Sequence, residues 1–391
     1  MEALHPLAAD ADAPPEELAL AQAECALTLG RLDGLLAGLT ESEERLFCAG
    51  LLRAVLLSAL AQAGFADAEL RFNAWFAGIG RAPQETHLTP CSAYAVVRAL
   101  LGELGHHPWE PLAETARTIA AAARFGAERQ DAAEDAFTGE AIIAAIALVR
   151  RTVGAGDGPL PFPALARLNA LLCQDPLFAP VERGLRTFSL GGRDVTIEQT
   201  APRTPLWAVD AALGLLLALA GTWRHALPCP GAVTVEALQP HLWPAERAIL
   251  VARSLHASVI RLSGLVADAR ARAALMREHL GHLRSSARAP QVWILLAGFA
   301  PLGLDQMASA CGVSRRGTYA IGAALTAAGL ARRTILKGKV LWVAEERPVA
   351  AAMRETGLPA AAPASPAFGA ALGAFDAAMA EIDNLLARGR T

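Results

Sequence analysis

Residues 304–343 have the sequence LDQMASACGVSRRGTYAIGAALTAAGLARRTILKGKVLWV, and this stretch decides the fold of the C-terminal part of the chain. Its first eight residues suit a short helix, and Gly312-Val313-Ser314 then supplies a turn signal. Gly312 can adopt a positive φ without a steric cost, and the Ser314 hydroxyl can cap a following helix. The pattern predicts two short helices joined by a tight turn, the second covering Arg315–Ala328.

A basic hairpin is predicted directly after the second helix. Two β-rich runs, Thr334–Leu336 and Val340–Val343, flank the tip formed by Lys337, Gly338 and Lys339. Such a spacing around a glycine-containing tip is typical of a β-hairpin. Of the 35 basic residues in the chain, only the two at this tip are lysines.

The basic residues of this region stand against a largely acidic remainder. Residues 284–340 hold eight basic side chains and one acid, Asp305, which gives a net charge of +7. Because the whole chain carries −3, the rest of it carries −10. A basic patch on an acidic body is the electrostatic pattern of a nucleic-acid-binding module. The acidic body would confine contact with DNA to the basic face.

Residues 290–345 resemble the winged helix-turn-helix domains of bacterial transcription regulators, on the pattern Ala308…Gly312–Ser314 and the basic hairpin. The resemblance implies DNA binding, with the second helix at base edges and the hairpin, or wing, along phosphates. Two residues depart from the pattern: Thr318 stands where many relatives have an aliphatic residue, and Gly317 costs about 1 kcal/mol of helix propensity relative to alanine. Most of the chain also resembles a group of uncharacterised, often plasmid-encoded proteins of rhizobia and related bacteria, which implies no activity.

The candidate DNA-contacting residues lie at the start of the second helix or on the hairpin. They are Ser314, Arg315, Arg316, Thr318 and Tyr319 on the helix, and Arg332, Arg333, Lys337 and Lys339 on the hairpin. Arginine bound to guanine is the commonest specific contact at such a helix, and the hairpin cations suit phosphates. The predicted partner is double-stranded DNA. The alternative is an adaptor that binds protein through the winged helix and does not bind DNA.

The composition favours packed helices, with 53% hydrophobic and 19% charged residues. We predict a mainly α fold with a multi-helix body, a long heptad-patterned helix and a C-terminal winged helix-turn-helix with a small β-hairpin. The proposed segments are a loose leader (1–14), an N-terminal helical domain (15–153), a second helical segment with a small hairpin (154–243), the long helix (244–284), the winged module (285–345), a linker (346–366) and a C-terminal helix (367–391).

The long helix carries apolar residues at alternating steps of four and three, which is a heptad pattern. These residues, called the heptad seam below, are Ala248, Ala252, Leu255, Val259, Leu262, Val266, Ala269, Ala273, Met276, Leu280 and Leu283. One interpretation is a dimerisation helix, which would make the protein a homodimer, or a long arm that leads into the DNA-binding module. The other is a bundle helix packed on its own chain, because an antiparallel neighbour demands the same spacing.

No catalytic or metal-binding pattern stands out, so we expect no enzyme, no cofactor and no metal site. The six cysteines form no CxxC pair, and the adjacent His106 and His107 lack a third ligand. Asp210 in an apolar helix would be functional if buried, although a place near the first turn would let it complement the helix dipole. The sequence neither indicates nor excludes a small-molecule effector that binds the body.

We expect a soluble, cytoplasmic protein that does not enter the membrane. The N-terminal residues are acidic and lack the basic region of a secretory signal. The longest apolar runs, such as Ala211–Thr222, fall short of the roughly 20 residues that span a bilayer.

Overall fold

The computed structural model describes residues 15–125, 131–154, 160–180, 184–190, 193–199, 201–283 and 288–345. Over these ranges the chain is mainly helical, with a small three-stranded antiparallel sheet at the C-terminal end. The predicted leader, linker and C-terminal helix lie outside the described residues, at 1–14, 346–366 and 367–391.

The described chain consists of a helical body followed by a C-terminal module. The body contains α1 (Pro15–Ala37), α2 (Glu41–Gln62), α3 (Ala68–Phe76), α4 (Ala93–Leu104), α5 (Glu110–Ala122), α6 (Ala132–Thr152), α7 (Phe162–Leu172), β1 (Gly184–Leu190), β2 (Arg193–Gln199), α8 (Leu206–Leu219), a 3-10 turn (Glu236–Leu238) and α9 (Pro244–Leu280). The module contains α10 (Ala289–Phe299), β3 (Leu302–Gly303), α11 (Leu304–Cys311), α12 (Arg315–Ala327), β4 (Ala331–Leu336) and β5 (Lys339–Ala344).

The small hairpin predicted in the second helical segment is confirmed. β1 and β2 pair antiparallel, from Gly184 opposite Gln199 to Leu190 opposite Arg193. The hydroxyl groups of Thr187 and Thr196, which face each other across the pair, lie 3.0 Å apart. Cross-strand threonine pairs of this kind help to fix the register of a hairpin.

The heptad seam belongs to a helix that packs within its own chain. α9 is one continuous helix of 37 residues that lies along α1 and α2. Its seam residues from Ala252 to Leu280 are buried in this chain, while Ala248 is half-buried and Leu283 follows the end of the helix. The own-chain interpretation therefore holds. Because intramolecular packing already covers the seam, a homodimer would need another surface.

The module shares its hydrophobic core with the body. One continuous cluster of buried side chains runs from Leu29 in α1 through Trp75 in α3 and Trp207 in α8 to Phe299 in α10 and Trp342 in β5. Phe299 contacts rings of α3, with centroid distances of 5.1 Å to Phe76 and 6.2 Å to Phe72. The apolar residues of α10 thus anchor the module on the body.

One of the described helices, α9, is long and apolar enough to cross a bilayer by length and composition. The apolar runs considered from the sequence did not include it. The core helix of a soluble protein meets the same criterion, and α9 has its seam buried against α1 and α2. The structure is compatible with a soluble protein.

Candidate nucleic-acid interface

The turn between α11 and α12 has the geometry that the sequence predicts. Gly312 has a φ of 62°, in the left-handed region, where a Cβ would be strained. The Ser314 hydroxyl accepts a hydrogen bond of 3.2 Å from the N–H of Gly317, which caps α12. Arg315 and Arg316 follow on the first turn of the helix, and both are exposed.

Thr318, which the sequence analysis placed among the DNA-contacting residues, does not lie on the exposed face of α12. Its side chain is 0% exposed, and its hydroxyl donates a 3.1 Å hydrogen bond to the carbonyl oxygen of Ser314. A threonine can occupy a buried helical position because the preceding turn accepts its hydroxyl proton. The position is therefore a core position of the module.

Trp342 fixes the hairpin against α12. The backbone of Gly322 approaches its indole so closely that a Cβ on this glycine would lie 2.4 Å from the ring. The ring of Tyr319, one turn earlier, meets the indole edge-on at a centroid distance of 5.9 Å. Across the sheet, Trp342 pairs with Arg333 of β4 and Leu302 of β3. The helix and the three-stranded sheet therefore form one packed unit.

The hairpin tip is a two-residue turn. Leu336 pairs with Lys339, and the two residues between them, Lys337 and Gly338, have φ values of 50° and 73°. Positive φ at both central positions is the signature of a type I′ turn, whose twist matches that of the flanking strands. The turn places the two lysines on either side of the tip.

Four exposed arginines lie on α12 and the hairpin, and two of them have carboxylate partners. Arg315 pairs with Asp305 at 3.0 Å, and Arg332 pairs with Glu345 at 3.5 Å. Arg316 and Arg333 have no carboxylate partner within the described part of the chain. These two guanidinium groups carry the charge that is least neutralised on this surface.

The two lysines at the tip bind the body. The ammonium group of Lys337 donates a 2.7 Å hydrogen bond to the carbonyl oxygen of Ile79. That of Lys339 donates a 3.0 Å hydrogen bond to the carbonyl oxygen of Gly78. Both acceptors belong to the turn that follows α3. In this arrangement the lysines are not extended toward an external phosphate backbone.

The same turn receives further groups from the module, and together they form what we call the docking contact. Gln306, which is 2% exposed, donates a 3.0 Å hydrogen bond to the carbonyl oxygen of Phe76. Leu341 packs against Ala77 and Ile79. Arg124 of the body donates a 3.1 Å hydrogen bond to the carbonyl oxygen of Asp305. The docking contact thus has an apolar centre with hydrogen bonds around it.

No pattern in the sequence marks the docking contact. Its acceptors are main-chain carbonyl groups, which every residue has, so no residue type marks them. The partners are also far apart in the chain, by 230 residues for Gln306 and Phe76. The two lysines, the only ones in the chain, set the hairpin tip apart from the rest of the sequence. They do not indicate which groups the tip would contact.

Beyond its first turn, α12 exposes small side chains. The exposed positions after Tyr319 are Ala320, Ala323, Ala324, Thr326 and Ala327. On the neighbouring strand, Ile335 is 66% and Leu336 48% exposed. The surface of α12 and the hairpin is therefore basic at one end of the helix and apolar near the hairpin tip.

The adjacent histidines of the body both approach main-chain carbonyl groups. The Nε2 atom of His107 lies 2.9 Å from the carbonyl oxygen of Ala226, and its Nδ1 accepts a 3.1 Å hydrogen bond from the N–H of Trp109. Burial lowers the pKa of His107. The Nδ1 atom of His106 lies 2.8 Å from the carbonyl oxygen of Gly102.

Asp210 is buried, but its carboxylate binds a loop and not the start of its helix. Its Oδ1 accepts a 2.7 Å hydrogen bond from the N–H of Val233. Its Oδ2 accepts hydrogen bonds from the N–H of Gly231 and, at 2.6 Å, from the amide of Gln62. Burial raises the pKa of Asp210 to about 7, although these hydrogen bonds favour the charged form. Asp210 thus connects the loop after α8 to Gln62 of α2 through hydrogen bonds.

Within the described ranges, no three side chains of histidine, cysteine, aspartate or glutamate come together as a metal site. No family model matches the chain, and no curated protein matches it.

Proposed function

We propose that the protein binds double-stranded DNA and regulates transcription in the cytoplasm, with the C-terminal module acting as a winged helix-turn-helix. One observation carries the proposal: a capped helix exposes Arg315 and Arg316 on its first turn, beside a hairpin strand that exposes Arg332 and Arg333. A helix start that presents arginines can enter the major groove, and a neighbouring basic strand can follow the phosphates.

The geometry gives these residues different roles in the proposal. Arg316 has no carboxylate partner in the described part of the chain, so its side chain is free to contact base edges. Tyr319 packs on Trp342 but is 44% exposed, so its outer edge can also contact DNA. Arg315 would have to break its salt bridge with Asp305 before it could contact a base or a phosphate. The Ser314 hydroxyl is committed to its cap, and the buried Thr318 supports the helix from within.

The lysines require a rearrangement. In the docked arrangement their ammonium groups bind the carbonyl groups of Ile79 and Gly78. Each ammonium group has two further donors, but these bonds hold it at the turn after α3, so Lys337 and Lys339 would have to leave the carbonyl groups to contact a phosphate beyond that turn. We therefore propose that the docked hairpin and the DNA-bound hairpin are alternative states, and that phosphate binding begins with Arg332 and Arg333.

A second candidate function is an adaptor that binds a protein through the same module. The docking contact favours it, since the hairpin tip already binds main-chain carbonyl groups of this chain. The exposed Ile335 and Leu336 add apolar surface beside the tip. An adaptor would use that apolar surface, whereas a DNA-binding protein would use Arg316.

The proposal includes a homodimer formed through a surface other than the heptad seam. Dimeric helix-turn-helix proteins bind two half-sites about one helical turn of DNA apart, and the symmetry of the site mirrors that of the protein. A palindromic target would therefore support the dimer, and a single half-site would favour a monomer.

The test is selection of fragmented genomic DNA from the source organism on the purified full chain at low and at moderate salt, followed by sequencing. We expect a recurrent motif whose retention falls steeply with salt, because bound phosphates release counterions. The Arg315→Ala/Arg316→Ala variant should lose the motif, whereas Arg253→Ala, an exposed arginine of α9 paired with Glu17, should keep it. Equal recovery of all fragments by the wild type and both variants would favour the adaptor.

A further inference from the structure

A cavity of about 240 Å³ lies where the body meets the C-terminal module. α2 and α5 supply one side, including Ala49 and Thr118, and α10 and α11 supply the other, including Ile294, Leu295 and Cys311. Small-molecule sites occur preferentially at such junctions, usually with volumes of roughly 300–1,000 Å³. The volume here suits a ligand below drug size.

The charge in the cavity comes mainly from one guanidinium group. Of the charged groups that line the cavity, Arg45 and Glu114 pair at 3.3 Å and neutralise each other. Arg45 also pairs at 3.1 Å with Glu41, which does not line the cavity. Arg288 donates a 2.9 Å hydrogen bond to the side-chain oxygen of Gln291, and no carboxylate in the described ranges pairs with it. An anion that enters the cavity would therefore meet Arg288 as its free countercharge.

The uncommitted polar groups of the cavity can all donate hydrogen bonds. The Gln291 oxygen is occupied by Arg288, while its amide nitrogen has no acceptor among the described residues. The hydroxyl of Thr118 likewise has no partner among them. A carboxylate is acceptor-only, and arginine binds it by two parallel hydrogen bonds. The adjoining wall, with Ile294 and Leu295, is apolar.

We propose that this cavity binds a small organic monocarboxylate, with the carboxylate on Arg288, Gln291 and Thr118 and the apolar part against Ile294 and Leu295. The ligand would touch the body and the module at once, and so add contacts between them. The site goes beyond the proposed DNA binding and does not rest on it.

Cys311 offers a direct measurement of occupancy. Four of the six cysteines are buried, and only Cys173 and Cys311 are partly exposed. The Cys173→Ser variant therefore leaves Cys311, which lines the cavity, as the accessible thiol. Burial raises the pKa of Cys311, and the nearby Arg288 partly offsets this. Alkylation by N-ethylmaleimide is therefore followed at alkaline pH, where the thiolate is populated.

The probes are acetate, hexanoate, benzoate and phenylacetate, with benzyl alcohol as the uncharged control. At a ligand concentration ten times its Kd, we expect alkylation of Cys311 to slow about tenfold, since only the free protein reacts. At least one of the larger carboxylates should protect, and benzyl alcohol should not. Arg288→Gln should abolish protection, whereas Arg253→Gln, a change on the exposed face of α9, should leave it intact. Because Arg288 affects the thiol itself, each variant is compared with its own ligand-free rate.

Thermal unfolding of the same full-length variants supplies a second measurement. A carboxylate that binds the folded protein raises Tm, and Arg288→Gln should remove that increase. The proposal is overturned if no carboxylate slows alkylation or raises Tm at millimolar concentrations, or if benzyl alcohol protects as well as benzoate does. These measurements contain no DNA, so they can fail without affecting the proposed function, and the reverse also holds.

Discussion

The ammonium group of Lys337 donates a 2.7 Å hydrogen bond to the carbonyl oxygen of Ile79, 258 residues earlier in the chain. This contact joins the tip of the C-terminal hairpin to the turn after α3 and turns a charge expected at DNA toward the protein itself. The ammonium group of Lys339 likewise donates a hydrogen bond to the carbonyl oxygen of Gly78. The only two lysines of the chain thus serve an internal contact in the described structure.

The hairpin lysines offer a test of whether the docking contact opens on DNA. If phosphates replace the carbonyl groups, Lys337→Ala/Lys339→Ala should lower affinity for all sequences alike. The slope of log K against log salt should then become shallower by about 1.8, because each lost phosphate contact contributes about 0.9. The measurement is fluorescence anisotropy with a labelled duplex at several salt concentrations. A slope equal to that of the wild type would mean that the hairpin stays docked in the complex.

Substitution of Gln306 measures how much the docking contact contributes to the free energy of unfolding, and it changes no charge. The amide of Gln306 donates to the carbonyl of Phe76, and its oxygen accepts a 2.9 Å hydrogen bond from the N–H of Gly303. Gln306→Ala removes both hydrogen bonds, although the carbonyl oxygen of Phe76 keeps the one that it accepts from the N–H of Arg124. At about 0.5–1.5 kcal/mol for each lost hydrogen bond, we expect the free energy of unfolding to fall by about 1–3 kcal/mol.

Urea unfolding monitored by tryptophan fluorescence gives the value for Gln306→Ala. Gln291→Ala, a partly exposed glutamine of the same module, is the matched control and should change stability by less than about 0.5 kcal/mol. Equal effects of the two changes would show that the docking contact contributes little to stability.

The sequence predicted the local structure of the module well because local chemistry determines it. Gly312 and Ser314 indicated the turn and the cap, and the residues around Gly338 indicated the hairpin. The sequence did not predict the burial of Thr318, since a hydroxyl suggests exposure unless its acceptor on Ser314 is known. It also could not distinguish the two uses of the heptad seam, because both demand the same spacing.

Two glycines of α12 give opposite predictions for the same substitution. A Cβ on Gly322 would lie 2.4 Å from the Trp342 ring, so Gly322→Ala forces the helix and sheet apart. We expect a loss of about 1–3 kcal/mol. A Cβ on Gly317 would lie 3.5 Å from the Ser314 hydroxyl oxygen, an ordinary contact, so Gly317→Ala should stabilise the protein by up to about 1 kcal/mol.

Thermal unfolding of the two glycine variants checks the stability predictions, and DNA binding by Gly317→Ala adds a functional one. If the backbone at Gly317 approaches a phosphate, the added methyl group will weaken binding although it stabilises the fold. A stabilising effect of Gly322→Ala would contradict the close packing on Trp342.

Asp210 predicts a pH dependence of stability. Burial raises its pKa in the folded protein to about 7, above its value in the unfolded chain. The folded state therefore binds more protons between about pH 4 and about pH 7, and this contribution to stability falls as pH rises through that window. The fall amounts to roughly 4 kcal/mol at 1.36 kcal/mol per pKa unit.

Denaturant unfolding across this pH range, for the wild type and Asp210→Asn, isolates the effect. The amide side chain of the variant does not titrate, so the stability advantage of the wild type over the variant should shrink as pH rises. The variant is also expected to be less stable than the wild type, because its amide NH2 group would face the donors that Asp210 binds. A constant difference between the two proteins at all pH values would refute the assignment.

Arg316 is the residue whose change bears most directly on the proposed function. Its side chain is exposed on the first turn of α12 and has no carboxylate partner in the described part of the chain. We expect Arg316→Ala to reduce binding to the selected motif by about 1–3 kcal/mol and to relax the preference at one base position. Competition between the motif and scrambled duplexes measures both effects. Thr318→Val is the matched control two residues away: it nearly preserves the shape of a buried side chain, so the sequence preference should stay that of the wild type. If both variants keep the wild-type preference, α12 is not the element that contacts bases, and the apolar surface around Ile335 and Leu336 becomes the interface to test.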